Sequence, residues 1–276
     1  MCTHPLQIKR VNPANGHVDL DVVPCGKCAE CLCLAQANFA ALSTLEAQKS
    51  ACVHFVTLTY NNRTVPIMVS DSESELRVFA DARTRLFYAK MCESSGSMVA
   101  SSHHDQDVCP SLCRKDFRLF LKRVRVKWQR SQGLDSPPVF RYSAFGEYGG
   151  KTFRPHYHVL FYDAEQKFID FLAAEWESQF GYSDVKFVPK INKDGSPGYV
   201  KVSKYISKYV SKPKTDNPWI MDGLCEPPSL VDYLLSISVR MVSTFPFFVP
   251  ITLEKISEDL PDGKSLRKYL REVGSL

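Results

Sequence analysis

The chain has 276 residues, 44% of them hydrophobic, which is enough for one large domain or two small ones with a buried core. No apolar run approaches the roughly 20 residues that cross a bilayer, and the N-terminal segment lacks an apolar signal core, so we expect neither a membrane span nor export. The net charge of +5 suits an anionic partner without identifying one. Ten cysteines without an export signal favour reduced thiols or a metal site over a disulfide framework.

The first part of the chain contains a cysteine cluster, a helix and a strand. Residues 25–33, CGKCAECLC, are followed by an Ala-rich segment with helical periodicity. The run FVTLTY at 55–60 is β-branched and aromatic and stops at two asparagines, which predicts a strand. Residues 66–112 are Ser-rich and poorly periodic. We therefore expect an insertion there, with a short helix over 75–91.

The middle of the chain alternates between helical and extended patterns. Over 114–130, aromatic and aliphatic residues recur at helical spacing with arginines and lysines off the stripe, which predicts an amphipathic helix with one basic side. Residues 136–163 contain two extended runs around a Gly-containing turn, the pattern of a β-hairpin. An apolar helical stripe comes next, followed by a strand at 183–190 and a helix at 199–212 that ends before a proline.

This order of elements predicts an α+β fold with a central antiparallel sheet and flanking helices. The tail over 214–276 is interrupted by prolines, and its role is not evident from the sequence. A strand is the only element that we expect there, over 245–255.

The second strand of the hairpin, FRPHYHVLFY, carries two histidines one residue apart. Alternate strand residues face the same side, so His156 and His158 point together. If the turn centres near 150–152, Glu147 on the partner strand lies across from His156, roughly 5 Å away at Cβ. Two imidazoles and a carboxylate could hold one metal ion with open positions for water or a phosphate oxygen. The alternative is a pair of core histidines that only form hydrogen bonds.

The segment GYVKVSKYISKYVSKP at 198–213 divides into three arcs at about 100° per residue. Apolar residues share one arc, lysines a second and serines a third. Tyr205 and Tyr209 lie on the seam between the apolar and lysine arcs, which predicts that their hydroxyls are side by side. Nearby ammonium groups favour the phenolate of a group whose ordinary pKa is about 10. The alternative is an ordinary amphipathic helix with tyrosines at the rim of the core and lysines in water.

A strand FVTLTY, a later His-x-His strand and a downstream helix with YISKY follow one another as in the HUH endonuclease superfamily of rolling-circle replication initiators, which the chain resembles. The longer motifs PCGKCAEC, FGEYGGKTFRPHYHVLFY and KYISKYVSK are similar to those of the replication initiators of gokushovirus-like microviruses, which are small single-stranded DNA phages. The resemblance covers residues 20–215.

The resemblance implies a sheet of about five antiparallel strands in a ferredoxin-like layout. It also implies an enzyme that nicks one strand of a circular DNA at the origin, becomes joined through a tyrosine to the 5′ phosphate, and later rejoins the displaced strand into a circle. We therefore expect a Cys-containing N-terminal segment at 1–50, a nicking domain at 51–213 with its insertion at about 66–112, and a C-terminal extension of unknown role at 214–276.

Carried over to this chain, the family's metal histidines correspond to His156 and His158 and its nucleophiles to Tyr205 and Tyr209, with Lys208 as the group that stabilises charge. The hairpin carboxylate is inferred to be the third ligand. The expected ion is Mg²⁺ or Mn²⁺. Mn²⁺ suits mixed imidazole and carboxylate ligands better than Mg²⁺ does, and Zn²⁺ is also chemically compatible.

The expected partners are single-stranded or cruciform origin DNA of the phage and the host replication machinery, in the cytoplasm of the bacterial host and without a membrane. The residues expected to contact DNA are Lys204, Arg118, Lys122, Arg125 and Arg154. The basic helix would follow phosphates with salt-sensitive binding, or else form a solvated face. Phe145 or Tyr148 near the hairpin could stack on unpaired bases.

The N-terminal cysteines suggest a second metal site. Four thiolates so close together could bind Zn²⁺ as a small knuckle, and the ligands expected there are Cys25, Cys28, Cys31 and Cys33. Cys109 with Cys113, or the histidine pair at 103–104, could complete such a site. Reduced structural thiols are the alternative.

Two other functions compete with a nicking enzyme. One is an origin-binding protein of the same fold without catalysis, which would form no covalent adduct. The other is a metalloenzyme with two histidines and one carboxylate that acts on small substrates, and such an enzyme has no use for a lysine-flanked tyrosine pair.

Overall fold

The structure is a computed structural model that describes residues 2–11, 16–70, 77–79, 90, 101–103, 106–149, 154–211 and 229–234. The strands within these ranges are β1 (Leu6–Val11), β2 (Val18–Val23), β3 (Val53–Tyr60), β4 (Ile67–Ser70), β5 (Arg77–Phe79), β6 (Ser101–His103), β7 (Gln106–Pro110), β8 (Arg141–Tyr148), β9 (Pro155–Tyr162), β10 (Gly181–Phe187) and β11 (Ser229–Leu234). The helices there are α1 (Ala29–Lys49), α2 (Arg114–Gln132), α3 (Gln166–Gln179) and α4 (Gly198–Ser211). None of these helices has the length and apolar character that crossing a membrane requires.

The main sheet has five strands in the order β10, β3, β9, β8 and β11, and every neighbouring pair is antiparallel. The hairpin of β8 and β9 supplies two of the three inner strands. The predicted α+β fold with a central antiparallel sheet and flanking helices is confirmed. The fifth strand, β11, comes from the tail after residue 213, at a position where no strand was predicted. The predicted strand at 245–255 lies outside the described residues.

The sheet separates two cores, because successive side chains of a strand point to opposite faces. On β9, Tyr157 and Val159 face a core that includes α2 and α3. Leu160 and Tyr162 face a second core that includes α1 and α4. We call these sides the α2–α3 face and the α1–α4 face. The histidines at 156 and 158 have the same parity as Leu160, so they lie on the α1–α4 face.

On the α2–α3 face, the predicted amphipathic stripe of α2 is buried at Phe117, Phe120, Leu121 and Val124. Trp176 of α3 is the centre of this core, where its ring contacts Phe120 at 5.0 Å between centroids and its indole N–H donates to the carbonyl of Thr59 at 3.2 Å. The predicted apolar packing of both helices therefore follows from their 3.6-residue periodicity.

On the α1–α4 face, the two helices approach closely through small polar residues. Ser43 of α1 donates to Ser203 of α4 at 3.0 Å, and its hydroxyl also lies 2.8 Å from that of Tyr162 on β9. Phe39 of α1 meets Phe145 of β8 edge-on at 4.9 Å. Since the buried hydroxyls satisfy one another, this contact fixes α4 against both α1 and the sheet.

The insertion contains a second antiparallel sheet, with the strand order β5, β4, β7 and β6. The helix predicted over 75–91 is wrong where the structure describes that segment, because residues 77–79 form β5 and pair with β4. Arg77-Val78-Phe79 includes β-branched and aromatic residues that favour a strand, and cross-strand pairing outweighs the weak helical periodicity around them.

The two cores allow a matched test of stability. Val56 of β3 is 0% exposed on the α2–α3 face, whereas Val139 in the loop before β8 is 84% exposed. We expect Val56→Ala to lower the free energy of unfolding by about 2–3 kcal/mol, because it removes buried methyl groups and leaves a cavity. Val139→Ala makes the same chemical change and should shift it by no more than about 0.5 kcal/mol. Urea denaturation followed by circular dichroism measures both, and equal effects would contradict the placement of the core.

Candidate metal and tyrosine site

The β8–β9 ladder brings a carboxylate opposite the histidine pair. Glu147 is in direct register with His156, as the hairpin prediction required. Its Oε2 lies 3.4 Å from His156 Nε2 and 3.2 Å from His158 Nε2. One ligand atom from each of the three residues lies within 4.8 Å of the others. We call these three side chains the His–His–Glu cluster.

The other ring nitrogen of each histidine is held by a separate partner. His156 Nδ1 lies 3.0 Å from the carbonyl oxygen of Arg154, and His158 Nδ1 lies 3.1 Å from the Thr57 hydroxyl on β3. Because a carbonyl can only accept, Nδ1 of His156 carries the proton and donates it there. The neutral ring then directs its Nε2 lone pair at Glu147. Such outer partners orient metal-binding imidazoles.

The electrostatics of the cluster suit a cation. Burial lowers the pKa of His158, which keeps its ring neutral and its nitrogen available as a ligand. Two imidazole lone pairs and a carboxylate that face one another are stabilised by a divalent ion between them. This donor set fits Mn²⁺, Zn²⁺ or Fe²⁺ more readily than Mg²⁺, which prefers oxygen ligands throughout.

The tyrosines of α4 lie against the same cluster. The Tyr209 hydroxyl donates to that of Tyr205 at 3.0 Å. The Tyr209 ring stacks on the His158 ring at 5.2 Å and 16°, and the Tyr205 ring meets His158 edge-on at 5.9 Å. The structure therefore brings the two phenols and the His–His–Glu cluster together on the α1–α4 face.

The two tyrosines have different environments. Tyr205 is 42% exposed, whereas Tyr209 is 1% exposed, and burial raises the pKa of Tyr209 well above its ordinary value. Lys208 Nζ lies 3.9 Å from the centroid of the Tyr205 ring and 4.8 Å from that of Tyr209. The ammonium group thus lies nearer the accessible phenol, where it favours a negative charge.

The position of α4 follows from its own residues. Ile206 and Tyr209 are buried in the core of the α1–α4 face, and Ser203 and Ser207 lie where the helix packs closely. Gly198 begins the helix beside the backbone of Pro189, where an added Cβ would clash with the Pro189 carbonyl oxygen. Glycine is therefore required for this tight entry into α4.

Several residues of this site were not identified from the sequence. Thr57 holds His158, and Phe55 lies between His158 and Tyr205, with ring centroids 5.4 and 5.7 Å away. On the edge strand β10, Lys186 pairs with Phe55, and Tyr182, which is 62% exposed, pairs with Thr59. These residues have no local signal, because only the pairing of β3 with β9 and β10 brings them to the cluster.

The predicted DNA-contacting residues are divided between two surfaces. Lys204 lies exposed on α4, beside the tyrosines. Arg118, Lys122 and Arg125 belong to α2, which packs on the opposite face of the sheet. Their helix lines a separate groove there.

Four of the predicted contact residues are engaged within the protein. Arg125 donates to the Pro138 carbonyl at 3.0 Å, and Arg154 donates to the Tyr60 carbonyl at 2.9 Å and to Asn62 Oδ1 at 2.6 Å. Phe145 and Tyr148 are almost completely buried, so the prediction that they stack on bases is wrong. Strand parity places Phe145 in one core and Tyr148 in the other.

The N-terminal cysteines form a second cluster with one change from the prediction. Cys25, Cys28 and Cys31 converge with Cys2, and the four sulfurs lie within 4.8 Å of one another. Cys33 is exposed and lies outside the group, so its assignment as a ligand is corrected. Helical geometry explains the difference, since Cys31 and Cys33 lie two residues apart on α1 and face different sides. Cys109 does not complete the site either, because it is disulfide-bonded.

Comparison with known proteins identifies a family for most of the main sheet. A family model for replication-associated proteins of the ORF2 type matches residues 53–214. The chain is also similar to "Replication-associated protein VP4" of Bdellovibrio phage phiMH2K, with 37% identity over 71 residues. That match covers 24% of this chain and 22% of the relative, so the chain spans about a fifth of the relative's length. No solved structure matches the chain.

The Thr57 contact predicts how the cluster binds an ion. We expect Thr57→Val, which keeps the shape but removes the hydroxyl that holds His158 Nδ1, to weaken Mn²⁺ binding by roughly 10- to 100-fold. Thr57→Ser keeps the hydroxyl and should retain most of the affinity. Isothermal titration calorimetry with Mn²⁺ separates the two variants, and equal affinities would show that Thr57 does not orient the ligand.

Proposed function

Because the chain belongs to the ORF2 family of replication-associated proteins, we propose that it is a rolling-circle replication initiator that nicks one strand of a circular phage DNA at the origin. The observation that carries the proposal is the pair of phenol hydroxyls 3.0 Å apart beside the His–His–Glu cluster. An origin-binding protein without catalysis would need neither the paired nucleophiles nor the metal ligands. The predicted resemblance to replication-associated proteins of microviruses is confirmed by the family match and the phage relative.

The proposed reaction is a transesterification at phosphorus. A tyrosine oxygen forms a bond to the phosphorus of the scissile phosphodiester, and the bond from phosphorus to the 3′ oxygen breaks. The phenol proton ends on the departing 3′ oxygen, so the products are a 5′-phosphotyrosine and a free 3′ hydroxyl. The phosphoester bond is exchanged rather than hydrolysed, so the reverse reaction can rejoin the displaced strand into a circle without ATP.

We infer that Tyr205 attacks first. Its hydroxyl accepts the hydrogen bond from Tyr209 and its ring is nearest Lys208, and both contacts stabilise a phenolate. Its exposure allows a phosphodiester to approach. Tyr209 is held protonated by burial until the site changes, which suits a second nucleophile that acts when the origin is regenerated.

The His–His–Glu cluster is the proposed holder of the catalytic ion, Mn²⁺ or Mg²⁺, through His156, His158 and Glu147. When bound there, a divalent ion polarises a phosphate oxygen and offsets the charge that develops in the transition state. The protein contributes fixed ring orientations through Thr57 and the Arg154 carbonyl, together with a positive charge from Lys208. The mixed nitrogen and oxygen ligands favour Mn²⁺ of the two.

The exposed groups around the tyrosines are proposed to hold single-stranded or cruciform origin DNA. Lys204 of α4 and Lys186 of β10 offer charge, and Tyr182 offers an exposed ring on which an unpaired base can stack. Arg118 and Lys122 can contact only DNA that reaches the α2–α3 face. The nicking activity is assigned to residues 51–213, in the cytoplasm of the bacterial host, where host replication enzymes would extend the 3′ hydroxyl.

The direct test is a covalent adduct with a single-stranded origin oligonucleotide in Mn²⁺, detected as a denaturant-resistant band. We expect Tyr205→Phe to lower the initial rate of adduct formation at least roughly tenfold, a loss of about 1.4 kcal/mol of transition-state stabilisation. Tyr209→Phe should retain most of that rate, and the double variant should form no adduct.

Two matched variants complete the experiment. Tyr182→Phe keeps an aromatic ring outside the proposed nucleophile pair and should form adduct as the unmodified protein does. The double variant His156→Ala/His158→Ala should lose the adduct while its salt-sensitive DNA binding persists. An adduct that survives Tyr205→Phe/Tyr209→Phe would refute the nucleophile assignment, and equal loss of DNA binding in the histidine variant would make the histidines structural.

A further inference from the structure

Four thiols at the N-terminal end of α1 are arranged at the spacing of a tetrahedral metal site. Cys25 Sγ lies 4.0 Å from Cys31 Sγ, and Cys28 Sγ lies 3.8 Å from Cys2 Sγ. With a Zn–S distance of about 2.3 Å, tetrahedral geometry places sulfurs about 3.8 Å apart. These separations are far longer than the roughly 2.05 Å of a disulfide bond, so the sulfurs surround a position rather than pair directly.

Backbone amides point at these sulfurs, as they do where a chain wraps around a thiolate site. The N–H groups of Lys27 and Cys28 donate to Cys25 Sγ at 3.4 and 3.3 Å, and the N–H of Cys25 donates to Cys2 Sγ at 3.3 Å. Gly26 allows this tight turn because its φ is +72°. The N–H groups of Cys31 and Thr3 lower the pKa of the Cys28 thiol to about 6.

The hairpin of β1 and β2 requires such a fastening. Its two strands pair only with each other, and the large apolar side chains Leu6, Ile8, Val18, Leu20 and Val22 are exposed. An isolated two-stranded hairpin is at best marginally stable in water. Cys2 lies just before β1 and Cys25 just after β2, so the thiol cluster closes the loop that contains the hairpin.

We propose that Cys2, Cys25, Cys28 and Cys31 bind one structural Zn²⁺ ion that ties the N-terminal hairpin to the first turn of α1. All four positions are occupied by protein sulfur, which leaves no open position for catalysis. Cys28 is the residue before α1 and Cys31 lies in its first turn, so the ion anchors the helix that packs on α4. The site is therefore a support for the tyrosine helix and not part of its chemistry.

Zinc content measures the proposal directly. The full-length protein, purified under reducing conditions with Zn²⁺ and then passed over a desalting column, should retain about one tightly bound zinc per chain. His156→Ala/His158→Ala should retain the same amount, which separates this site from the His–His–Glu cluster. Cys2→Ser/Cys25→Ser should lose it, whereas Cys33→Ser, a change to the exposed cysteine on the same helix, should keep it.

Thiol protection in the unmodified protein tests the same claim where a variant fails to fold. Iodoacetamide labelling read by peptide mass spectrometry should modify Cys33 and spare the four cluster cysteines together, and a zinc chelator should expose all four. Absence of tightly bound zinc, retention of zinc in Cys2→Ser/Cys25→Ser, or two disulfides among the four cysteines would each overturn the proposal. None of these outcomes depends on DNA nicking.

Discussion

The register of the β8–β9 hairpin is the constraint on which the candidate site depends. The ladder pairs Glu147 with His156, and strand alternation then places His158 on the same face. A slip of one residue would turn both histidines to the α2–α3 face, among the aromatic rings around Trp176. The hydrophobic pattern opposes that slip, because Tyr157, Val159 and Phe161 would then leave their core. The burial of apolar side chains therefore holds the metal ligands in position.

The tyrosines depend on a second contact, between helices that are far apart in sequence. Ser43 of α1 and Ser203 of α4 are joined by a buried hydrogen bond, and Phe39 packs on Phe145 behind them. A helix that is about 1 Å out of place would take both hydroxyls from the cluster, so α1 acts as a support for chemistry in which it has no direct part. This role accounts for an N-terminal helix that is apolar and poor in charge. It also explains why a metal anchor at the start of α1 would matter to a site on α4.

The parts of the site that could be predicted from sequence are those set by local periodicity. The histidine pair and Glu147 follow from a period of two across one short turn, and Tyr205 with Tyr209 follows from a period of 3.6 within one helix. Thr57, Lys186 and Tyr182 could not be predicted in the same way, because they reach the cluster through strands paired over about a hundred residues. Cys2 was missed because a whole hairpin separates it from Cys25. The side of the sheet that α2 covers is likewise set by the chain crossover, so a strongly basic helix could be predicted but not its distance from the tyrosines.

The central claim is that one divalent ion binds between the two imidazoles and Glu147, within reach of the Tyr205 hydroxyl. The most direct measurement is the anomalous difference density of crystals of the full chain grown with Mn²⁺, recorded on the high-energy side of the manganese absorption edge. The account predicts one strong peak in contact with His156 Nε2, His158 Nε2 and a Glu147 carboxylate oxygen, on the α1–α4 face and beside Tyr205. A peak bound elsewhere with these three residues joined only by hydrogen bonds, or the tyrosine hydroxyls on the far side of the sheet from the ion, would contradict it.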